Sequence, residues 1–250
     1  MKLFKTAIAT PTRFDIRFEN VSFGYIKDHN IIDRVSFQIK DQNTVALVGA
    51  SGSGKTTLAG LISRMWDSKK GRITIGGIPI SRIPQHQLAD YVMLISAATP
   101  LPDDTLYNAI WSANPKASPE QVFEALENAR VIDFAWELPD GMHTHLQHPE
   151  CHLSDQEKLR IQMARALLKN TPVLLLDETV TPCGPVDMIY LQKAKQELIK
   201  NKTVIIITRN PETIKDADQV FVLHNGKIEE HSNPVFYYNH THQWNLQLEF

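Results

Sequence analysis

Gly49-Ala50-Ser51-Gly52-Ser53-Gly54-Lys55-Thr56 fits the pattern G-x-x-x-x-G-K-[ST]. Glycines let such a loop curl so that successive backbone N–H groups point inward at anionic oxygens. A lysine at its end reaches the β- and γ-phosphates of a nucleoside triphosphate, and the hydroxyl of Thr56 can hold Mg²⁺. Thr57 continues into a helix whose positive end faces the same phosphates. A glycine-rich turn with an incidental lysine is the alternative, but it leaves a second feature unexplained. Asp177 and Glu178 stand together after the apolar run Val173-Leu174-Leu175-Leu176. Ligands of open α/β sheets bind at such C-terminal strand ends. Asp177 is placed to hold Mg²⁺ through its water shell, and Glu178 to polarise a water attacking the γ-phosphate. Alone, this pair would read as a strand end with a solvated acidic turn; beside the phosphate loop it reads as chemistry.

The elements that must position these groups can be read around them. Thr44-Val45-Ala46-Leu47-Val48 predicts a buried strand before the loop, and Thr57-Leu58-Ala59-Gly60-Leu61-Ile62 a helix after it. The unbroken apolar run ending at Leu176 predicts a strand buried on both faces of a parallel sheet. Alternation in Phe14–Phe18, Val21–Tyr25 and Val35–Ile39, with Arg72–Ile75 before Gly76-Gly77, predicts an antiparallel layer. Residues 105–165 read as mostly helical. Ser118-Pro119-Glu120-Gln121 supplies an N-cap, a first-turn proline and a capping-box partner, and Val122, Ala125, Leu126 and Ala129 give one apolar face. A long helix near Gln156–Leu168, another near Met188–Ile199 and a strand Val204–Ile207 follow. Asn225-Gly226 between Val220–Leu223 and Lys227–Glu229 predicts a two-residue hairpin.

With 250 residues, 42% hydrophobic and 22% charged, the chain can bury one sizeable core. A net charge of −2 gives no reason to expect a nucleic-acid partner. Two distant cysteines, Cys151 and Cys183, suggest no disulfide framework and fit a reducing compartment. No apolar run is long enough to span a bilayer and no signal-peptide pattern opens the chain, so a membrane is expected to be reached through a partner or as part of a longer chain. His143, His145, His148, Cys151 and His152 have spacings a metal could use, or form a solvated loop.

The order of these motifs resembles the ATP-binding domain of ATP-binding cassette (ABC) transporters over about residues 14–232, in particular exporter-type half-transporters and their siderophore-importer subgroup. Phe18-Glu19-Asn20-Val21-Ser22-Phe23, Arg64-Met65-Trp66-Asp67, Asp103-Asp104-Thr105-Leu106 and Glu137-Leu138-Pro139-Asp140-Gly141 carry the likeness. It implies an α/β fold: a mixed, largely parallel RecA-like core with an antiparallel β layer at 14–97 and 161–232, a helical lobe at 98–160 and a tail at 233–250. It implies ATP and Mg²⁺ as cofactors, with ATP contacted by Tyr25, Gly49, Ser51, Gly52, Ser53, Gly54, Lys55, Thr56, Thr57 and Ser154. Tyr25 occupies the place of an aromatic that stacks on adenine; a surface tyrosine is the alternative. Partners implied are a transmembrane domain and a second cassette, homo- or heterodimeric with hetero favoured, at the cytoplasmic face of the inner membrane.

Several family positions depart. The signature L-S-G-G-[QE] reads Leu153-Ser154-Asp155-Gln156-Glu157, so Asp155 brings a carboxylate to where a partner's triphosphate docks. Lys158, Arg160, Ala164, Arg165 and Ala166 beyond it match. Ala97 stands where a glutamine reaches metal and water, and Arg209 where a histidine normally ends a core strand. Arg209 can still hold the γ-phosphate as a cation. Thr181-Pro182-Cys183-Gly184 replaces S-A-L-D, and Gln147-His148-Pro149-Glu150 replaces a glycine-rich approach. Two expectations follow: an ATPase in which Lys55, Glu178 and Arg209 carry catalysis and Thr56 with Asp177 holds Mg²⁺, or a nucleotide-binding regulatory module paired with an active cassette.

Overall fold

A computed structural model describes residues 10–27, 29–178, 185–208 and 211–231. In chain order the elements are β1 (Ile16–Phe23), β2 (Ile32–Ile39), β3 (Thr44–Val48), α1 (Lys55–Ile62), β4 (Lys70–Ile75), β5 (Ile78–Pro79), α2 (Gln85–Tyr91), β6 (Val92–Ser96), α3 (Leu106–Trp111), α4 (Pro119–Asn128), α5 (Ile132–Ala135), α6 (Asp155–Lys169), β7 (Val173–Asp177), α7 (Pro185–Leu198), β8 (Thr203–Ile207), α8 (Pro211–Lys215), β9 (Gln219–His224) and β10 (Lys227–His231). They fall into two compact units, one up to residue 92 and again from 202, the other spanning 93–201.

In the first unit, β2, β1, β4 and β5 form an antiparallel sheet in that order. The two strands expected over 14–18 and 21–25 are one strand. Asn20 takes a left-handed φ of 48°, and the register against β2 slips between Phe18 and Val21. Such a bulge inserts a residue without ending the strand, so the broken alternation reads as a gap when it is a kink. Phe18 stacks on Phe37 with ring centroids 4.4 Å apart, and Phe37 meets Phe221 at 4.8 Å. Those contacts join the antiparallel layer to the strands behind it.

Strand β3 runs parallel to β8 on one side and β9 on the other. Val45, Ala46 and Leu47 are fully buried, as an unbroken apolar run on a two-sided strand requires. The β9–β10 hairpin closes through Asn225 (φ 48°) and Gly226 (φ 72°), with His224 paired to Lys227. Both turn residues have positive φ, as a type I′ turn demands. The carbonyl of Gly226 accepts from the N–H of Asp33 at 2.8 Å, and a Cβ there would come 2.7 Å from the Ile31 oxygen. The hairpin tip is thereby fastened to the chain entering β2.

The second unit is mainly helical. On α4 the capping box forms as its sequence predicts: Gln121 N–H donates to Ser118 Oγ at 3.4 Å and Ser118 N–H to Gln121 Oε1 at 2.9 Å. Val122, Ala125, Leu126 and Ala129 are all buried. Helix α6 packs against α3, α4 and α7 and ends at Asn170 in the left-handed region. Every residue of β7 is buried. Strand β6 and helix α2 were not expected from the sequence. Helix α2 begins after Pro84, without a side-chain cap to announce it.

Candidate functional site

The phosphate loop leaves β3 and enters α1. Gly49 has φ 153°, and a Cβ on it would lie 2.3 Å from the Leu223 oxygen and 2.8 Å from Ser53 Oγ. Only glycine fits there. Gly54 caps α1 in the left-handed region at φ 103°. The first intrahelical bond runs from Leu58 N–H to the Gly54 oxygen at 2.9 Å, so the amides before it belong to the turn that an anion can satisfy. The Lys55 ammonium is nearly buried and donates to the carbonyls of Gly49 and Ala50 at 2.8 and 2.7 Å, with Ser53 Oγ at 3.4 Å. Ser51, Gly52 and Thr56 are exposed and Ser53 is half-buried. A loop with no room for a Cβ at Gly49, a helix start and an ammonium held within it suit a polyphosphate.

Thr57 is buried, and its hydroxyl shares a 3.0 Å hydrogen bond with Tyr25 Oη. That bond ties the loop's helix to the residue expected to meet the base. The Tyr25 ring stands edge-on to Phe23 at 5.2 Å and to Trp66 at 5.3 Å, yet is 54% exposed. Trp66 in turn lies over Gly60, where a Cβ would come 2.8 Å from the indole. This aromatic group spans residues far apart in sequence, and no local pattern shows it. An open cavity of about 510 Å³ is bordered by Ser22, Tyr25, Lys27, Asn30, Lys69 and Lys70.

In the second unit, Asp177 ends β7 and is buried, and Glu178 follows it. Glu178 Oε1 lies 3.0 Å from the ammonium of Lys195 on α7. Ala97 lies in the turn after β6, where Thr99 N–H donates to the Ser96 oxygen at 3.1 Å and Gln162 Nε2 to the Thr99 oxygen at 3.3 Å. Ser154 is the N-cap of α6. Glu157 N–H donates to Ser154 Oγ at 3.2 Å, and Ser154 N–H and Oγ both donate to Glu157 Oε2 at 2.7 Å. The pattern S-x-x-E spells this capping box. Asp155 is half-buried and meets Lys158 at 3.4 Å.

Arg160 is buried, donates to the Arg130 oxygen at 3.2 Å and lies over the Phe134 ring at 4.8 Å. Arg165 donates to the Ala109 oxygen, and burial lowers its pKa. These two signature-helix arginines therefore brace the helical unit. Among the described residues no three His, Cys, Asp or Glu side chains converge as a metal cluster. His145 Nδ1 accepts from Gln147 N–H at 3.4 Å, and His148 Nδ1 from Glu150 N–H at 3.2 Å. Arg209, Thr181–Gly184 and the tail 233–250 lie outside the described residues. No helix among those described is long and apolar enough to cross a membrane.

A parallel strand opening into a glycine cradle, a capping helix and an acidic strand end define a phosphate-loop nucleotide-binding domain. Residues 32–181 match the family model for ABC transporters, and the chain belongs to that family as its ATP-binding domain. It is 38% identical over 220 residues to the ATP-dependent lipid A-core flippase of Chromobacterium violaceum, covering 88% of this chain and 38% of that protein. The flippase of the same name from Haemophilus influenzae (strain 86-028NP) is 36% identical over 227 residues, covering 90% of this chain and 39% of the relative. The chain thus spans under two fifths of the length of these curated relatives. Among solved structures, a bacterial Atm1-family ABC exporter with ATP bound superposes with a TM-score of 0.87 at 30% identity, over 99% of this chain and 44% of that one. The fold is the ABC ATPase fold expected from the motifs, of exporter type.

Proposed function

We propose that this chain is the motor of an exporter-shaped transporter, binding and hydrolysing Mg·ATP to drive transport through a membrane-spanning partner at the cytoplasmic face of the inner membrane. The observation that carries the reading is the Gly49–Thr56 cradle on β3, closed to any residue but glycine at position 49. Lys55 and the loop amides of Ser51 to Thr57 bind the phosphates and counter the charge that spreads over the transferred group. Tyr25 carries the base, its ring held edge-on by Phe23 and Trp66. Thr56 and Asp177 would hold Mg²⁺, which supplies charge neutralisation at the phosphates when bound. Glu178 orients or activates the water, and Arg209 holds the γ-phosphate as a fixed cation.

The pairing favoured is a heterodimer. Asp155 is half-buried at the start of α6, and a carboxylate facing a partner's triphosphate repels it. Gln156, by contrast, is buried in α6. A second cassette with an intact L-S-G-G-[QE] supplies the better clamp for the nucleotide bound here. Phosphate release by the chain alone, and mixed with such a cassette, tests this together with light scattering. Slow release and a monomer for the chain alone, with faster release in the mixture, are expected. Brisk release by the lone chain that survives Glu178→Gln would sink the assignment of chemistry. A stable ATP-dependent homodimer of the unaltered chain would sink the heterodimer.

A further inference from the structure

Helix α7 buries Leu191, Ala194, Lys195 and Leu198. These positions are i, i+3, i+4 and i+7, the inward stripe of an amphipathic helix. Three of the four are apolar. The fourth is a lysine, a residue almost never fully buried without a partner. Its ammonium lies 3.0 Å from Glu178 Oε1, and the two side chains are 6% and 8% exposed. The carboxylate proposed to handle the attacking water is therefore held by a cation inside the helical unit.

We infer that Lys195 is a positioning residue for hydrolysis, and that it acts as a restraint on Glu178. The ammonium holds Oε1 toward α7, so the carboxylate cannot turn that oxygen to a water without loosening the pair. Parting such a pair without replacement costs on the order of a hundredfold or more in population. Glu178 thus offers Oε1 to water only when it leaves Lys195. The KM for ATP is expected to stay as it is, because neither Lys195 nor Glu178 is among the residues proposed to contact the nucleotide. The inference rests on Glu178 being the group that handles water.

The test pairs hydrolysis with folding. Single-turnover hydrolysis is measured for the 250-residue chain mixed with a cassette bearing an intact signature, and urea unfolding for the chain alone. Lys195→Met is expected to raise the hydrolysis rate on the order of tenfold with the KM for ATP unchanged. Lys195→Arg keeps the wild-type rate, and the gain vanishes when Glu178 is also Gln. In urea, Lys195→Met weakens the folding constant about a hundredfold, and Glu178→Gln in the same chain restores most of the loss. Lys195→Gln serves the rate measurement should the methionine variant not fold. An unchanged or lower rate without Lys195, or urea effects that simply add, overturns the inference. Loss of the base assignment looks different: Glu178→Gln then hydrolyses as fast as wild type while the urea coupling stands, and the pair is structural only.

Discussion

Replacing Tyr25 by alanine probes the base side of the nucleotide site without changing a residue of the phosphate loop. The ring is 54% exposed, but its orientation is fixed by Phe23 and Trp66 at its edges and by the bond to Thr57. A ring already ordered loses little freedom when a base settles on it, so most of the stacking energy reaches the affinity. Base–aromatic stacking contributes about 1–3 kcal/mol. At about 1.4 kcal/mol per tenfold, the Kd for Mg·ATP rises about 5- to 150-fold in Tyr25→Ala. Tyr25→Phe keeps the ring and loses one shared hydrogen bond, about 0.5–1.5 kcal/mol of stability, and binds ATP much as wild type does. Calorimetric titration with Mg·ATP and with inorganic triphosphate separates base from phosphate. The triphosphate has no base, so its affinity is the same in Tyr25→Ala and wild type. Equal losses for both ligands, or no loss for ATP, would refute the stacking argument.

Lys55→Ala removes a charge-assisted contact of about 1.5–3 kcal/mol, so Mg·ATP affinity drops on the order of tenfold or more by titration; equal affinities would end the phosphate-loop reading. Ser154→Ala removes the acceptor for Glu157 N–H at the start of α6 and lowers unfolding free energy by about 1 kcal/mol in urea; an unchanged midpoint would mean the cap contributes nothing. The Cys151 thiol pKa is raised, first by burial and then by the charge of Glu157. A folded pKa above the unfolded one means its stability contribution is full below the unfolded value and lost as pH rises through the folded one. In a Cys183→Ser chain, alkylation at about pH 8.5 is slower when native than when unfolded, because the thiolate reacts; matching rates in both states would contradict the shift.

Much of this architecture was legible in the residues. The loop at Gly49–Thr56, the apolar runs of β3 and β7, the Ser118 cap and the Asn225-Gly226 hairpin are local patterns, each set by a few neighbouring side chains. The bulge at Asn20 was not, because a kinked strand and a broken one share the same interrupted alternation. Helix α2 is short and follows a proline in place of a polar cap, so it lacked a start signal. Ser154 sits where the family pattern offers a hydroxyl to a triphosphate, while S-x-x-E also spells the box that occupies it. The Tyr25–Thr57 bond and the Lys195–Glu178 pair join residues that only tertiary packing brings together. A lysine in an apolar helical stripe was the one trace of the second, visible only once the inward face of α7 was known.

The parallel pairing of β3 also bears on how the chain is made. The strand that carries the phosphate loop has β8 and β9 as neighbours, and both come from residues 203–224. On a ribosome β3 emerges with both hydrogen-bonding edges bare and an apolar face to cover. At about 5–20 residues per second, its last neighbour follows roughly ten to thirty seconds later. Non-local parallel strands zip slowly for the same reason. The nucleotide cradle is therefore among the last parts of this domain to take shape, although its residues are synthesised well before those of β8 and β9. Nascent chains arrested before β9 has left the exit tunnel are expected to show no ATP-dependent protease protection of the loop; protection at that length would mean β3 is organised without its neighbours.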